Sequence, residues 1–220
     1  PLPLVVRMLV GRGWGQGPVH SQAFHGLLGQ VPGIRVFYPV QPESLLNSYR
    51  MAFRQRGISV IIEPRRVYEL ETVGLPRLVG HPAAQIGTFG DCVLDAVMAA
   101  RELRYEGILC NVIPVEDLSA MPLFHLSVPT ILVDTGHIRY GPMEGLAHRL
   151  QTEGVPSVLV MGPPYSPLPA ASTLETAWYP SARQIKQAVY KMLVRTAPEP
   201  AAVAPEEVPA GTDIGFRGPF

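Results

Sequence analysis

Leu4-Val5-Val6-Arg7-Met8-Leu9-Val10, followed at once by Gly11-Arg12-Gly13-Trp14-Gly15-Gln16-Gly17-Pro18-Val19-His20-Ser21-Gln22, is the stretch from which the fold can be read. A short apolar run stopped by a glycine loop reads as a strand, here Leu4 to Val10. Alternating glycines let the backbone take positive φ and pass close to a ligand. The loop delivers His20 at or near a helix start, between sheet and solvent. An amphipathic stretch from His20 to Leu28 follows. Spacing excludes a dinucleotide fingerprint, because G-x-G-x-x-G counted from Gly11 and Gly13 puts Gln16 where the third glycine belongs. No Gly-Lys-Ser/Thr follows, so it is not a phosphate-binding P-loop either. By spacing alone the loop is a ligand-facing element or a structural turn.

Outward from this stretch the grammar repeats. A strand at Arg35 to Tyr38 leads through Pro39 and Pro42 into a helix from Glu43 to Arg54, and a strand from Ser59 to Glu63 stops at Pro64. Continuous apolar strands such as Val60-Ile61-Ile62, separated by helices, are the pattern of a parallel sheet covered on both faces. Between Arg65 and Pro82, turns at Gly74, Pro76, Gly80 and Pro82 mark a crossing to a second unit. That unit reads as strand Ala84 to Gly87, helix Asp91 to Tyr105, strand Ile108 to Ile113, strand Thr130 to Val133, helix Met143 to Gln151, strand Ser157 to Met161 and a last helix. In the Asp91 helix, Val93, Ala96, Val97, Ala100 and Leu103 share one face and predict core. The last helix opens on Ser181 with Gln184 three residues later, the spelling of a capping box. From Ala197 onward alanine, proline and glutamate dominate, the composition of a disordered tail. The expected fold class is α/β with two mainly parallel sheet-and-helix units, divided as residues 1–75, 76–196 and a tail of 197–220.

A chain of 220 residues that is 47% hydrophobic and 16% charged can bury a full core, and its formal net charge of zero gives no reason to expect nucleic acid or an anionic membrane as partner. No apolar run approaches the roughly 18 residues of a membrane helix. Cys92 and Cys110, one in an expected helix and one in an expected strand, fit reduced core thiols. The expected compartment is therefore the cytoplasm, or the mitochondrial matrix.

The glycine loop with His20-Ser21-Gln22, then an apolar helix, then Pro32-Gly33-Ile34-Arg35-Val36, resembles the beta subunit of the pyruvate and branched-chain 2-oxo acid dehydrogenase decarboxylating components. Ile62-Glu63-Pro64-Arg65-Arg66-Val67-Tyr68 looks like the strand end that closes that family's pyrimidine-binding domain. The likeness continues in Gly87-Thr88-Phe89-Gly90, Glu106-Gly107-Ile108, Val133-Asp134-Thr135-Gly136-His137, Gly141-Pro142-Met143-Glu144, and from Tyr165-Ser166-Pro167 to Trp178-Tyr179-Pro180-Ser181. It departs at Pro114-Val115-Glu116-Asp117, where the family carries a basic residue, and at His137-Ile138-Arg139-Tyr140, where the family is richer in glycine.

The resemblance implies the second half of a pyrimidine-binding domain followed by a transketolase C-terminal-like domain, working in an alpha2-beta2 assembly. Its cofactors would be thiamine diphosphate and Mg2+, held mainly by the alpha subunit. Its other partners would be the N-terminal segment of the beta subunit, a lipoyl acyltransferase and the 2-oxo acid substrate. The carried-over catalytic residue is His20, which would position the intermediate and pass its acyl group to a lipoyl arm. The family's activating glutamate lies upstream of the part matched here, so the chain is expected to be inactive alone. Two other readings are a non-catalytic assembly or docking module of this family, and a transketolase-like or deoxyxylulose-phosphate-synthase-like fragment.

The remaining histidines invite simpler readings. His25 lies about 140° around a helix from His20 and is expected to be exposed. His81, His125, His137 and His148 show no metal-ligand spacing. Glu63, at a parallel strand end where ligands gather, is expected to meet a ligand or to pair with Arg65 or Arg66. Glu144 at a helix start favours the helix dipole. Trp14 walls a channel or fills a gap.

Overall fold

The computed structural model describes residues 3–193 apart from 69, 77, 79 and 121, so the expected tail lies outside the described residues. The first sheet has three parallel strands, β1 (Leu4–Val10), β2 (Ile34–Phe37) and β3 (Ile58–Pro64), in the order β1-β3-β2. Val60, Ile61 and Ile62 of the central strand are buried on both sides, as a continuous apolar run in a covered parallel sheet requires. One face is packed by α3 (Pro42–Arg54), which adds Ala52, Leu45 and Tyr49 to Phe37 and Ile61. The other is packed by Ala23 and Leu28, on and beside two short helices, α1 (Pro18–Ser21) and α2 (His25–Gly29). The single amphipathic helix expected from His20 to Leu28 is thus interrupted at residues 22–24, where Gln22 turns to extended backbone.

The second sheet is also parallel and runs β5-β4-β6-β7, built from β4 (Ala84–Thr88), β5 (Cys110–Pro114), β6 (Thr130–Val133) and β7 (Val158–Met161). On one face α4 (Cys92–Tyr105) and α7 (Ala182–Met192) pack together, burying Val93, Ala96, Val97, Ala100 and Leu103 with Ile185 and Val189. Cys92 and Cys110 are free thiols in this same core. α5 (Pro142–Thr152) covers the opposite face with Met143, Leu146 and Leu150. Ser181 accepts from the Gln184 backbone and Gln184 returns to the Ser181 backbone, completing the capping box read from the sequence. A further helix, α6 (Ser172–Trp178), goes unread because its N-cap is Ala171, which offers no capping side chain to mark the start.

The strand after α4 starts later than the apolar pattern suggests, for a physical reason. α4 closes with Gly107 at φ 79°, while Gly107 N donates to Arg104 O at 3.0 Å and Ile108 N donates to Leu103 O at 2.9 Å. This is a Schellman motif, whose apolar pair here is Ile108 on Leu103, so Ile108 ends the helix and β5 opens only at Cys110. α5 ends the same way through Gly154 and Val155, with Val155 N on Leu150 O at 3.0 Å, and β7 opens at Val158.

The two sheets are tied together by the segment after β5. Tyr38 N donates to Glu116 O and Leu118 N to Val36 O, so residues 116–118 pair antiparallel along the outer edge of β2. Asp117 accepts a forked pair from Arg35, and Glu116 accepts from Val40 N at 2.7 Å and from the Ser44 hydroxyl at the start of α3. The Pro-Val-Glu-Asp departure from the family pattern therefore seals a sheet edge and ties the segment leading into α3 to the second sheet. At the other edge, β1 has no strand neighbour beyond β3 among the described residues.

Candidate functional site

The glycine loop between β1 and α1 is held by the second unit. Gly13, Gly15 and Gly17 take φ of 98°, 67° and 69°, a region that strains any side chain. At Gly15 a Cβ would also fall 2.6 Å from Ala170 O and from Ser172 N, so the loop backbone lies directly on the start of α6. Gly15 N donates to Oε2 of the buried Glu175 at 2.6 Å. Trp14 lies under the guanidinium of Arg65, 3.7 Å from ring centroid to Cζ, which gives it a packing partner at the strand end. The loop then enters α1 through Gly17 as N-cap and Pro18 at the first helical position, where proline's missing N–H costs nothing. His20 and Val19 project from this four-residue helix into solvent, Val19 with 83% of its surface exposed. A tightly fixed backbone thus presents an exposed imidazole at the C-terminal end of the first sheet.

Beneath the loop, Arg12 is nearly buried and binds two carboxylates at the start of α4, Asp91 at 3.2 Å and Asp95. Arg66 reaches the same two, at 3.6 Å and 3.1 Å, and the Tyr179 ring lies 4.7 Å from the Arg12 guanidinium carbon. Burial opposes the charge of Arg12, yet the paired carboxylates raise its pKa above the ordinary arginine value. Nothing in the sequence pattern marked this cluster. Its acids lie on α4 and its bases at two strand ends of the other sheet.

Glu63 does not pair with Arg65 or Arg66. Its carboxylate accepts two bonds from Arg7, at 3.0 Å and 2.8 Å, one from the Tyr49 hydroxyl at 2.7 Å and one from Tyr68. Arg7 lies two residues from the position paired with Glu63 in the parallel register, on the same face, so the contact is set by strand alignment. Burial alone would raise the Glu63 pKa, but the hydrogen bonds from Arg7, Tyr49 and Tyr68 outweigh it and hold it below the usual range. The two phenols are pushed up to about 12, first by burial and then by the carboxylate. The sign follows: a depressed folded pKa stabilises above the unfolded Glu value of about 4.3, and the benefit is lost as pH falls through the folded value. Glu63→Gln should therefore lower the thermal midpoint at pH 7. The gap to the parent chain should close as the pH is taken below about 4. A gap that stayed constant across that range would show the network to be solvated.

His25 is the clearest departure from expectation. It is 1% exposed, because its ring enters the second sheet instead of facing solvent. Nε2 lies 2.9 Å from Oδ1 of Asp134, just beyond β6, and the ring packs on Tyr38 and Phe89 with centroids 5.3 Å and 5.1 Å away. A Cβ at Gly136 would stand 2.8 Å from the ring, and one at Gly90 would stand 2.4 Å from the ring of Tyr38. The chain turns from β4 to β5 on one side and to β6 on the other, so the strand ends at Phe89–Asp91 and Asp134–Gly136 flank the point where open parallel sheets commonly bind ligands. Here two rings from the first unit fill that crevice. What space is left where the two sets of strand ends meet, among Arg12, Ser21, Tyr38, Asp91, Thr135 and Tyr179, admits a single water-sized molecule.

The other histidines separate. His137 packs edge-on against Tyr165 and Trp178, His81 and His148 are exposed, and His125 gives its backbone N–H to Gln85. Among the described residues no three His, Cys, Asp or Glu side chains gather as a metal site would need. Glu144 accepts the Tyr140 N–H at 2.8 Å and so holds a residue at φ 62° ahead of α5.

No family model matches the chain. The beta subunit of acetoin:2,6-dichlorophenolindophenol oxidoreductase from Cupriavidus necator is 26% identical over 87% of this chain and 63% of its own length. The mitochondrial pyruvate dehydrogenase E1 component subunit beta of Mus musculus is 26% identical over 88% of this chain and 61% of its own. The chain thus spans about three-fifths of the curated relatives it matches. Among solved structures, a split-gene transketolase described as an inactive beta4 tetramer aligns with a TM-score of 0.63 at 17% identity, over 88% of this chain and 67% of that one. A transketolase variant from Pichia stipitis gives 0.62 at 16%, over 87% and 30%. These structures establish the transketolase-like fold. By sequence over most of its length the chain is similar to the beta subunits of an acetoin oxidoreductase and of a pyruvate dehydrogenase E1 component, and by fold it is transketolase-like.

Proposed function

We propose that the chain supplies one wall of a thiamine-diphosphate site that decarboxylates a 2-oxo acid and passes the acyl group to a lipoyl arm, with His20 as the residue that meets the reacting groups. The carrying observation is the exposed imidazole at a strand end on backbone fixed from two sides. Rigid presentation of an exposed polar ring beside exposed Val19 suits a surface completed by another chain. An imidazole in that position can exchange a proton with a reacting group and orient a carboxylate.

The described residues do not fit the cofactor's diphosphate and Mg2+ as sole holders. They gather no metal-ligand cluster, and the space between the strand ends is too small for an organic phosphate. On this reading an alpha subunit holds both, the carbanion chemistry belongs to the cofactor, and this chain orients and handles protons at His20. A lipoyl acyltransferase receives the acyl group. Residues 1–75 are the part of a pyrimidine-binding domain and 76–196 the transketolase C-terminal-like domain.

The pure chain, given thiamine diphosphate, Mg2+ and pyruvate or a branched-chain 2-oxo acid, should show no turnover. Co-expressed with the alpha subunit of the same source and the remaining beta-subunit sequence, it should co-purify and reduce lipoamide. Turnover by the chain alone overturns the shared site; co-purification without turnover makes the chain an assembly module.

A further inference from the structure

We propose that His25 is a positioning residue: its bond to Asp134 in the crevice of the second sheet sets where His20 stands. The proposal rests on the reading of His20 given above.

α1 and α2 are too short to hold a fixed orientation by their own hydrogen bonds, since a lone helical turn does not persist in water. Their place is fixed by what anchors them. Ahead of His20 the anchor is the glycine loop on α6. Behind it, the polar anchors are Tyr179 to Ser21 O at 3.4 Å, Gln30 to Tyr140 O at 2.9 Å and His25 to Asp134 at 2.9 Å. The first is long for a hydrogen bond and the second is exposed. The third is buried, with both side chains at most 2% exposed. Its acceptor is itself held in place, because Asp134 Oδ1 also accepts Gly136 N at 2.7 Å.

A core imidazole usually finds partners for both ring nitrogens, yet Nδ1 of His25 has no hydrogen bond, and neither has Oδ2 of Asp134. A pair buried with two polar atoms unsatisfied is a poor stabilising device, for which an apolar ring of the same size would serve better. What the pair does provide is direction. One donor meets one fixed acceptor at the bottom of a crevice where Gly136, lacking a Cβ, leaves room for the ring. Since α2 hangs from this ring, the segment 18–29 takes one seat on the second sheet.

Two measurements test this. In the full chain, hydrogen exchange by mass spectrometry should show amides of residues 18–30 opening roughly tenfold faster in His25→Leu, the scale of one lost hydrogen bond to a charged group. The effect should be small in His25→Gln, whose amide can still donate to Asp134. Where His25→Leu does not yield folded protein, His25→Met against His25→Gln carries the same comparison. In the reconstituted assembly, His25→Leu should lower kcat for lipoamide reduction by roughly tenfold with KM for the 2-oxo acid unchanged, and should add nothing in a His20→Ala background. A merely structural role lowers activity in both backgrounds alike. Unchanged exchange in residues 18–30, or equal losses with and without His20, overturns the positioning role whatever the reaction is. If instead exchange responds but His20→Ala leaves lipoamide reduction untouched, the reading of His20 has failed, and His25 reverts to a packing residue.

Discussion

Arg12→Ala is expected to destabilise the chain by about 3–5 kcal/mol, the cost of breaking a buried ion pair and leaving its carboxylates behind. The guanidinium side chain is 9% exposed, Asp91 is 4% exposed, and both acids at the start of α4 depend on it. Arg66 shares the same two acids but is more exposed, so it offsets only part of the lost charge. Because a domain's whole stability is about 5–15 kcal/mol, the shift will be plain in urea unfolding followed by circular dichroism. Adding Asp91→Asn to Arg12→Ala should recover part of the loss, since the second change removes a carboxylate that the first left unpaired. If Arg12→Ala cost less than about 1 kcal/mol, the cluster would be behaving as a solvated surface pair.

His20→Ala should slow acyl transfer to lipoamide by roughly 10²-fold or more in an assembly with the alpha subunit, the scale of losing a positioned acid–base group. The same substitution should leave the unfolding midpoint in place, because an exposed side chain away from cores, caps and buried networks contributes within about 0.5 kcal/mol. His20 is such a side chain, with no hydrogen bond or ion pair among the described residues. The exposed His81, in the connection between the sheets, is the control. Equal activity of His20→Ala and His81→Ala would reduce the glycine loop to a turn.

The parts of this fold that were legible from residue order are those governed by local rules. Val60-Ile61-Ile62 announced a strand buried on both faces, and Ser181 with Gln184 announced a helix start; both stand as read. The start of β5 was misplaced because Ile108 looks like a strand residue while serving as the apolar end of a Schellman motif. The site was legible in its chain position only. That His20 follows a glycine loop is written in the sequence. That the loop leans on Ala170 and Glu175, or that Arg7 lies across from Glu63, depends on register and docking between distant segments. His25 was misread for the same reason: helical periodicity puts a side chain on a face but does not say whether a second sheet is waiting there. Glu116 and Asp117 looked like a blemish in a family pattern and turn out to join the two sheets.

Gly90 and Gly136 also bear on inheritance and engineering. They leave room at two strand ends for Tyr38 and His25, which come from the other half of the chain. Grafting the second half from a relative with any larger residue at either position would set a new methyl group against a ring that has nowhere to go. Grafting the first half from a relative with a bulkier ring would fail from the opposite side. Recombination libraries that cross over between β3 and β4 should therefore yield few viable chimeras unless positions 38, 90, 25 and 136 travel as one set.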